Sequence, residues 1–443
     1  MTFVFVICIL RCMNPIAQEL NQILKGSACE KLLSNFGKRI FFPKGIASQS
    51  TEAAALADTY NATIGMAYKN GEPYELSSIR EQLPVLTPKK AVAYAPTPGD
   101  ADLRAVWKKE IYKKNPSLEG KELSLPLIVP GLTNGVSQIS DMFINPGDRI
   151  VVPDMFWGNY RLMMEVRNEG IICEFPFYTP EGGLNTDGFV SAMKENAVNG
   201  KIIVMMNFPN NPTGYSPTTA EAEALARGIK AVADEGYSIL AITDDAYFGL
   251  FYDKDSYKES VFSLLADIHE NVMAVKIDGA TKEEFVWGFR VGFITVNSKS
   301  MNTQQYEAFN KKLGGAVRGS ISNSSRPAQS ILLKALSAGN HDDEKNRIAD
   351  ELKMRFDRVR EVIANRTSGK SLVPLPFNSG YFMSFVFEGG NAEELRKLLL
   401  EEKGIGTISI KDKYLRIAYS SVDLDGIEPL FSEVFEAADR LSG

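Results

Sequence analysis

KIIVMMNFPNNPTGYS (201–216), SILAITDDAYFGL (238–250) and VMAVKIDGATKEEFVWGFRVGF (272–293) decide the fold. Each opens on successive apolar residues rich in β-branched side chains, and each run stops at a cluster of turn-forming or charged residues. Apolar side chains on consecutive positions mark strands buried on both faces, where one-sided strands would alternate. Four further runs share this texture: LIVP (127–130), RIVVP (149–153), IICEFP (171–176) and RVGFITV (290–296). Between them lie stretches such as TAEAEALARGIKAVADEG (219–236), apolar at helical spacing and stopped by Gly236. Alternating strands and helices predict an α/β domain with a central, mostly parallel seven-stranded sheet covered by helices. After about residue 325 a charged helix (about 327–365), a strand around YLRIAYS (414–420) and helices from 391 and 425 predict a smaller α+β domain. The chain therefore divides into 1–12, an extension or a start misassigned ahead of Met13; 13–60, a segment packing with the small domain; 61–325, the large domain; and 326–443, the small C-terminal domain.

Composition narrows the function. A formal net charge of -6 offers no broad cationic surface, which argues against nucleic acid or anionic lipid as a partner. The apolar run Phe3–Leu10 is too short to span a bilayer. Four cysteines without metal-ligand spacing and only two histidines, His269 and His341, argue against a metal site and a disulfide framework, and point to a reducing, cytoplasmic setting. No G-x-G-x-x-G follows a strand, and ANRTSGKS (364–371), which mimics a phosphate loop, reads as a helix end and turn. A serine-triad hydrolase has no recognisable base.

Three segments carry chemistry, each at the carboxyl end of a strand, where open α/β sheets bind ligands. Taken singly, NFPNNPTGYS (207–216) reads equally as a plain turn, the acids of TDDAYFGL (243–250) as a helix cap, and Lys282 as a surface lysine. Their order is more telling: Asn-Pro-Thr-Gly, then Asp-x-x-Tyr, then Lys with Arg eight residues on, each after its own strand. In this the chain resembles the class I/II aminotransferases, fold-type I pyridoxal-phosphate enzymes, over roughly residues 60–440.

The resemblance implies a cofactor, pyridoxal 5'-phosphate, held by Lys282 as a Schiff base in the large domain. It assigns Asp244 to the ring nitrogen, where a carboxylate at about 4 Å and an effective dielectric of about 20 contributes roughly 4 kcal/mol. Tyr247 and Asn211 would bond the ring's phenolic oxygen, Trp157 would lie against the ring, and Arg290, Thr281, Thr133 and Asn134 would bind the phosphate. Tyr94 in YAPTPG (94–99) would reach the phosphate of the neighbouring subunit, so a homodimer with shared active sites is implied. Arg416 matches the arginine for the substrate's α-carboxylate, with Asn211 beside it, and Ile64 and Gly65 would line the pocket. Arg318, in VRGSISNSS (317–325), sits where dicarboxylate and aromatic aminotransferases carry an arginine for a second carboxylate, and a surface arginine is the alternative. The implied reaction is amino transfer between an amino acid, acidic or aromatic, and a 2-oxo acid such as 2-oxoglutarate.

Two features depart from the family pattern. Gly279 stands where serine is common three residues before the lysine, and Glu283 and Glu284 place acids near a phosphate unless both point away. Two rival readings keep the same scaffold: an amino-acid lyase or decarboxylase, and a non-catalytic effector-sensing domain of a transcription regulator.

Overall fold

The computed structural model describes residues 46–63, 66–82 and 85–442, with 13–15, 18–19 and 22 besides; the opening apolar run, Ile64 and Gly65 lie outside them. All seven apolar runs form strands of one sheet: β1 (Leu127–Val129), β2 (Arg149–Pro153), β3 (Ile171–Phe175), β4 (Lys201–Asn207), β5 (Ser238–Asp244), β6 (Val272–Gly279) and β7 (Gly292–Asn297). Their spatial order is β1-β7-β6-β5-β4-β2-β3. Strands β2 to β6 pair in parallel, and β7 runs antiparallel between β1 and β6. Every residue of β1 and β7 is buried, as is nearly all of β4 and β5, which is why these strands read as continuous apolar runs rather than alternating ones.

This topology brings the chemistry-bearing loops to one edge. The carboxyl ends of β1, β4, β5 and β6 point the same way, and β7, being antiparallel, starts at that edge just after Arg290. Register aligns them further: Asn207 pairs with Asp244, Asp244 with Ile277, and Gly279 with Gly292. The helix Thr219–Asp234 begins as its sequence suggests, with Thr218 and Glu221 forming a reciprocal cap and Gly236 leaving in the left-handed region.

In the C-terminal part, an antiparallel four-stranded sheet runs in the order Leu372–Pro374, Met383–Phe387, Tyr414–Ile417, Ile408–Ile410. The helices Ala392–Lys403 and Ile427–Ser442 pack together beside it. The helix Ile46–Leu56 lies against Ile405–Gly406 and Ile408–Ile410, and Tyr60–Asn61 pairs with Ile405–Gly406.

The single helix expected over about 327–365 is two, Arg326–Leu336 and His341–Asn365. The break falls on Ser337-Ala338-Gly339-Asn340, where glycine and asparagine weaken the helix. The two pieces then differ in their main partners: the first packs on Ala101–Lys114 and the second on the C-terminal helix, while both touch the short helix Ser77–Arg80. The phosphate-loop mimic is the end of the second helix and a turn at Gly369. Among the described residues no helix is long and apolar enough to cross a membrane.

Candidate active site

A cavity of about 400 Å³ opens at this edge of the sheet. Its wall includes Thr133, Trp157, Asn211, Asp244, Tyr247, Thr281, Lys282, Arg290 and Arg416, nine of the residues singled out from the sequence.

Two turns build most of it. After β4 the chain is locked by Asn210, whose side-chain oxygen accepts from the backbone and hydroxyl of Thr213 and whose amide reaches Met155 O. Gly214 is obligatory there: its φ is +73°, and an added Cβ would lie 1.9 Å from Phe382 O. Asn207 then ties this turn to the next strand, donating to Asp244 O at 2.7 Å and accepting from Asn211 N at 2.8 Å.

Of the two adjacent acids only Asp244 faces the cavity. Asp245 turns the other way, onto the buried Lys276 and the Ser260 hydroxyl. Burial pushes the Asp244 carboxyl up to about 6, opposed by the Tyr160 hydroxyl and the Lys282 charge. Tyr160 donates to Asp244 Oδ2 at 2.6 Å and Ala246 N to Oδ1 at 3.2 Å. Tyr160 is itself boxed by Phe156, stacked at 6.2 Å, and Trp157, edge-on at 5.6 Å.

Lys282 sits in a single helical turn, Ala280–Glu283, directly after β6. Its Nζ lies 4.6 Å from the centre of the Tyr247 ring. Burial pushes the amine down to about 8; the Asp244 charge opposes that shift and the Arg290 charge adds to it. At pH 7 a group with that pKa is about one-tenth neutral, against less than about one in a thousand for an ordinary lysine. Burial also drives the Tyr247 phenol well up, with the Arg416 charge and Asn211 pulling it back.

The anion-binding side is made by backbone. The helix α1 (Leu132–Phe143) starts at Gly131 with no side-chain cap among the described residues, so its first N–H groups are left for another acceptor. The Arg290 guanidinium lies over Gly131, where a Cβ would come 2.6 Å from Nη2. Thr281 Oγ1 is buried and lacks a hydrogen-bond partner among the described residues. A phosphate group supplies what these donors lack, and the Lys282 amine and Asp244 carboxylate beside them match the aldehyde and ring nitrogen of pyridoxal phosphate. Among the described residues no cluster of three or more His, Cys, Asp or Glu is placed to hold a metal.

On the opposite wall Arg416 is 2% exposed, with Nη1 on Asn211 Oδ1 and Nη2 on Thr63 O, each at 3.0 Å. The Phe382 ring lies 4.3 Å beneath its guanidinium. Burial lowers its pKa to about 10, which leaves it cationic at neutral pH.

Three expected residues lie outside this cavity. Asn134 is on α1 with its side-chain oxygen buried and without a partner among the described residues, but it does not line the wall. Tyr94 is 91% exposed. Arg318 closes the helix Thr303–Ser320, bonds Ser322 Oγ at 2.8 Å and faces a separate surface groove of about 750 Å³. Glu283 and Glu284 point away from the cavity, onto Lys114, Lys345 and His341.

Residues not anticipated are Tyr160, Asn207, Phe382 and the Thr63 carbonyl. Asn207 opens the NFPNNPTG turn and Tyr160 follows Trp157 by three positions, so both stood close to motifs already marked.

The family described as aminotransferase class I and II matches residues 67–433. A probable aspartate aminotransferase of Methanocaldococcus jannaschii is 23% identical over 66% of this chain and 72% of its own. An aromatic amino acid aminotransferase of Dictyostelium discoideum is 24% identical over 76% of this chain and 71% of its own. In fold, the chain is similar to a crystal structure of an aminotransferase from Anaerococcus prevotii, with a TM-score of 0.81 at 22% identity over 92% of this chain and 99% of that one. Aspartate aminotransferase from Thermus thermophilus with maleate gives 0.69 at 17% identity, over 92% of this chain and 99% of that one.

Gly279 has a steric reason for lacking a side chain: a Cβ there would lie 2.6 Å from Val291 O and 2.8 Å from Gly292 Cα. Gly279→Ser is therefore expected to destabilise the fold by about 1–3 kcal/mol, seen as a lower melting temperature. An unchanged melting temperature would contradict this packing.

Proposed function

The chain belongs to the class I and II aminotransferases and is a pyridoxal-phosphate-dependent transaminase, and from that premise we propose that it moves the amino group of an acidic or aromatic amino acid to a 2-oxo acid such as 2-oxoglutarate. The observation that carries the reading is that a lysine with a depressed pKa, a buried carboxylate and a buried arginine share one cavity. Names of relatives favour the substrate class: several are aspartate aminotransferases and one is an aromatic amino acid aminotransferase.

When bound, pyridoxal phosphate supplies an electron sink for the bond broken at the substrate's α-carbon. Lys282 would bond its aldehyde, for which a neutral amine is required, and afterwards carry the α-proton as general base and acid. Asp244 would hold the ring nitrogen, with Tyr160 fixing the carboxylate's orientation. Tyr247 and Asn211 would donate to the phenolic oxygen, while Trp157 covers the ring. Thr133, Thr281, Arg290 and the first N–H groups of α1 would take the phosphate. Arg416 would grip the substrate's α-carboxylate with its planar fork, held in place by Asn211 and Thr63 O.

Two finer features belong to the same proposal. The chain acts as a homodimer in which Tyr94 completes the partner's site, a reading supported by Tyr94 and Val92, neighbouring in sequence and 91% and 85% exposed. Arg318, outside its own chain's cavity, would serve a second carboxylate across that dimer. We place the protein in the cytoplasm, consistent with its few cysteines.

Incubation with glutamate, aspartate or an aromatic amino acid plus 2-oxoglutarate is expected to give stoichiometric amino transfer, and Lys282→Ala to abolish it. Release of ammonia or carbon dioxide without consumption of the oxo acid would contradict transamination. Cofactor uptake by the stripped enzyme should rise about tenfold per pH unit below pH 8 and level off above it, following the neutral amine. A flat profile between pH 6 and 8 would contradict the depressed lysine.

Tyr160→Phe removes the donor that lowers the Asp244 pKa, so the carboxyl should titrate above 6 and cofactor affinity at neutral pH should fall about tenfold. Equal affinity in the variant would assign Tyr160 to packing alone. Arg318→Ala should weaken kcat/KM for glutamate or aspartate far more than for a neutral amino acid; equal losses for both would remove its assigned role.

A further inference from the structure

The two acids that follow Lys282 are absorbed by no step above, yet they form the most heavily paired charge cluster near the cavity. Glu283 meets Lys114 at 2.6 Å and Lys345 at 3.2 Å. Glu284 meets Lys345 at 2.9 Å, Lys114 at 3.8 Å and His341 Nε2 at 2.8 Å. The other ring nitrogen of His341 lies 3.1 Å from Ser78 Oγ. Both carboxylates are buried, Glu284 completely. The cluster thus joins four elements: the lysine's turn, the end of the helix Ala101–Lys114, the start of the helix His341–Asn365, and the short helix Ser77–Arg80.

Buried ion pairs are a poor route to stability, because desolvating each charge offsets most of the attraction. What they provide is direction. The turn Ala280–Glu283 is only four residues long, well below the length at which a helix holds itself. Backbone bonds from Glu284, Phe285 and Val286 close the turn on itself and Ala280 N ties its start to Val291 O, but its far end is held by no strand, and Phe285 just beyond leaves in the left-handed region at φ +52°. The direction its far end takes is therefore set by what packs against it. The cluster grips it on the face opposite the cavity, while Lys282 projects from the other face toward the Tyr247 ring. The same helix that supplies His341 and Lys345 also supplies Arg355, which donates to Ser420 O at 2.6 Å, four residues past Arg416.

We propose that Glu283 and Glu284 are positioning residues for Lys282: anchored by Lys114, Lys345 and His341, they clamp the one-turn helix from behind and hold the lysine's amine inside the cavity. The clamp rests on the role given to Lys282 above, and its test needs no cofactor.

The full chain, stripped of cofactor, is labelled with acetic anhydride across a pH range, and acetylation of Lys282 is followed by peptide mass spectrometry with circular dichroism as a check on folding. The wild type should show a midpoint near 8. In Glu283→Gln/Glu284→Gln the turn loosens and the amine gains water. The midpoint then moves at least one unit toward the ordinary lysine value of about 10.4, and labelling at pH 8 slows about fivefold or more. Lys345→Met, which removes a positive charge, should raise the midpoint on charge grounds alone, so the double variant, in which loosening and charge loss act in opposite directions, is the deciding one. An unchanged midpoint in folded variants overturns the proposal. So does a fall in the double variant, because loss of two nearby negative charges with the turn still in place lowers a lysine's pKa. Wild-type protein that labels near 8 yet takes up no pyridoxal phosphate would leave the clamp standing and sink the enzymatic reading instead.

Discussion

Removal of one amine from water is the constraint on which the rest of this structure depends. A lysine in solvent is almost wholly protonated at neutral pH and captures an aldehyde poorly. Lys282 escapes that limit because β6 delivers it into a cavity walled by the carboxyl ends of neighbouring buried strands. Burial there depresses the amine, and the Asp244 charge keeps the depression moderate. A site with less burial would leave the lysine charged, and one without the carboxylate would lose the partner proposed for a cationic ring.

The sheet satisfies this constraint through register. Because Asn207, Asp244 and Gly279 sit at the ends of adjacent strands, three loops distant in sequence converge without any long side chain having to reach. Close backbone approach completes it. Gly131, Gly279, Gly292 and Gly214 each occupy places where a Cβ would meet another backbone or the Arg290 guanidinium. Glycine in these positions belongs to the site's construction as much as the charged residues do. Around this rigid edge the second carboxylate, Asp245, is neutralised by Lys276, and that leaves Asp244 the acid that faces the cavity.

The strands were legible because burial on both faces writes itself as consecutive apolar residues, and all seven runs coincide with strands. Most of the cavity was legible too, since its polar side chains stand directly at strand ends. What escaped were contacts made by tertiary approach. Tyr160 lies 84 residues before Asp244, and nothing in its local sequence points at a carboxylate. The Thr63 carbonyl beneath Arg416 is a backbone atom with no signature at all. The helix break at Ser337–Asn340 was passed over because residues that favour helix flank it on both sides, although the glycine and asparagine within it weaken one. Glu283 and Glu284 looked out of place beside a phosphate site; their direction is set by lysines from two other helices.

The central claim is that Lys282, among all the lysines of the chain, bonds pyridoxal phosphate. Borohydride reduction of the yellow holoenzyme followed by peptide mapping tests it directly. The account predicts a single phosphopyridoxyl group on the peptide containing Lys282, lost when an amino acid converts the cofactor to its amine form before reduction. Protein that stays colourless with excess cofactor, or a label on a different lysine, would contradict it.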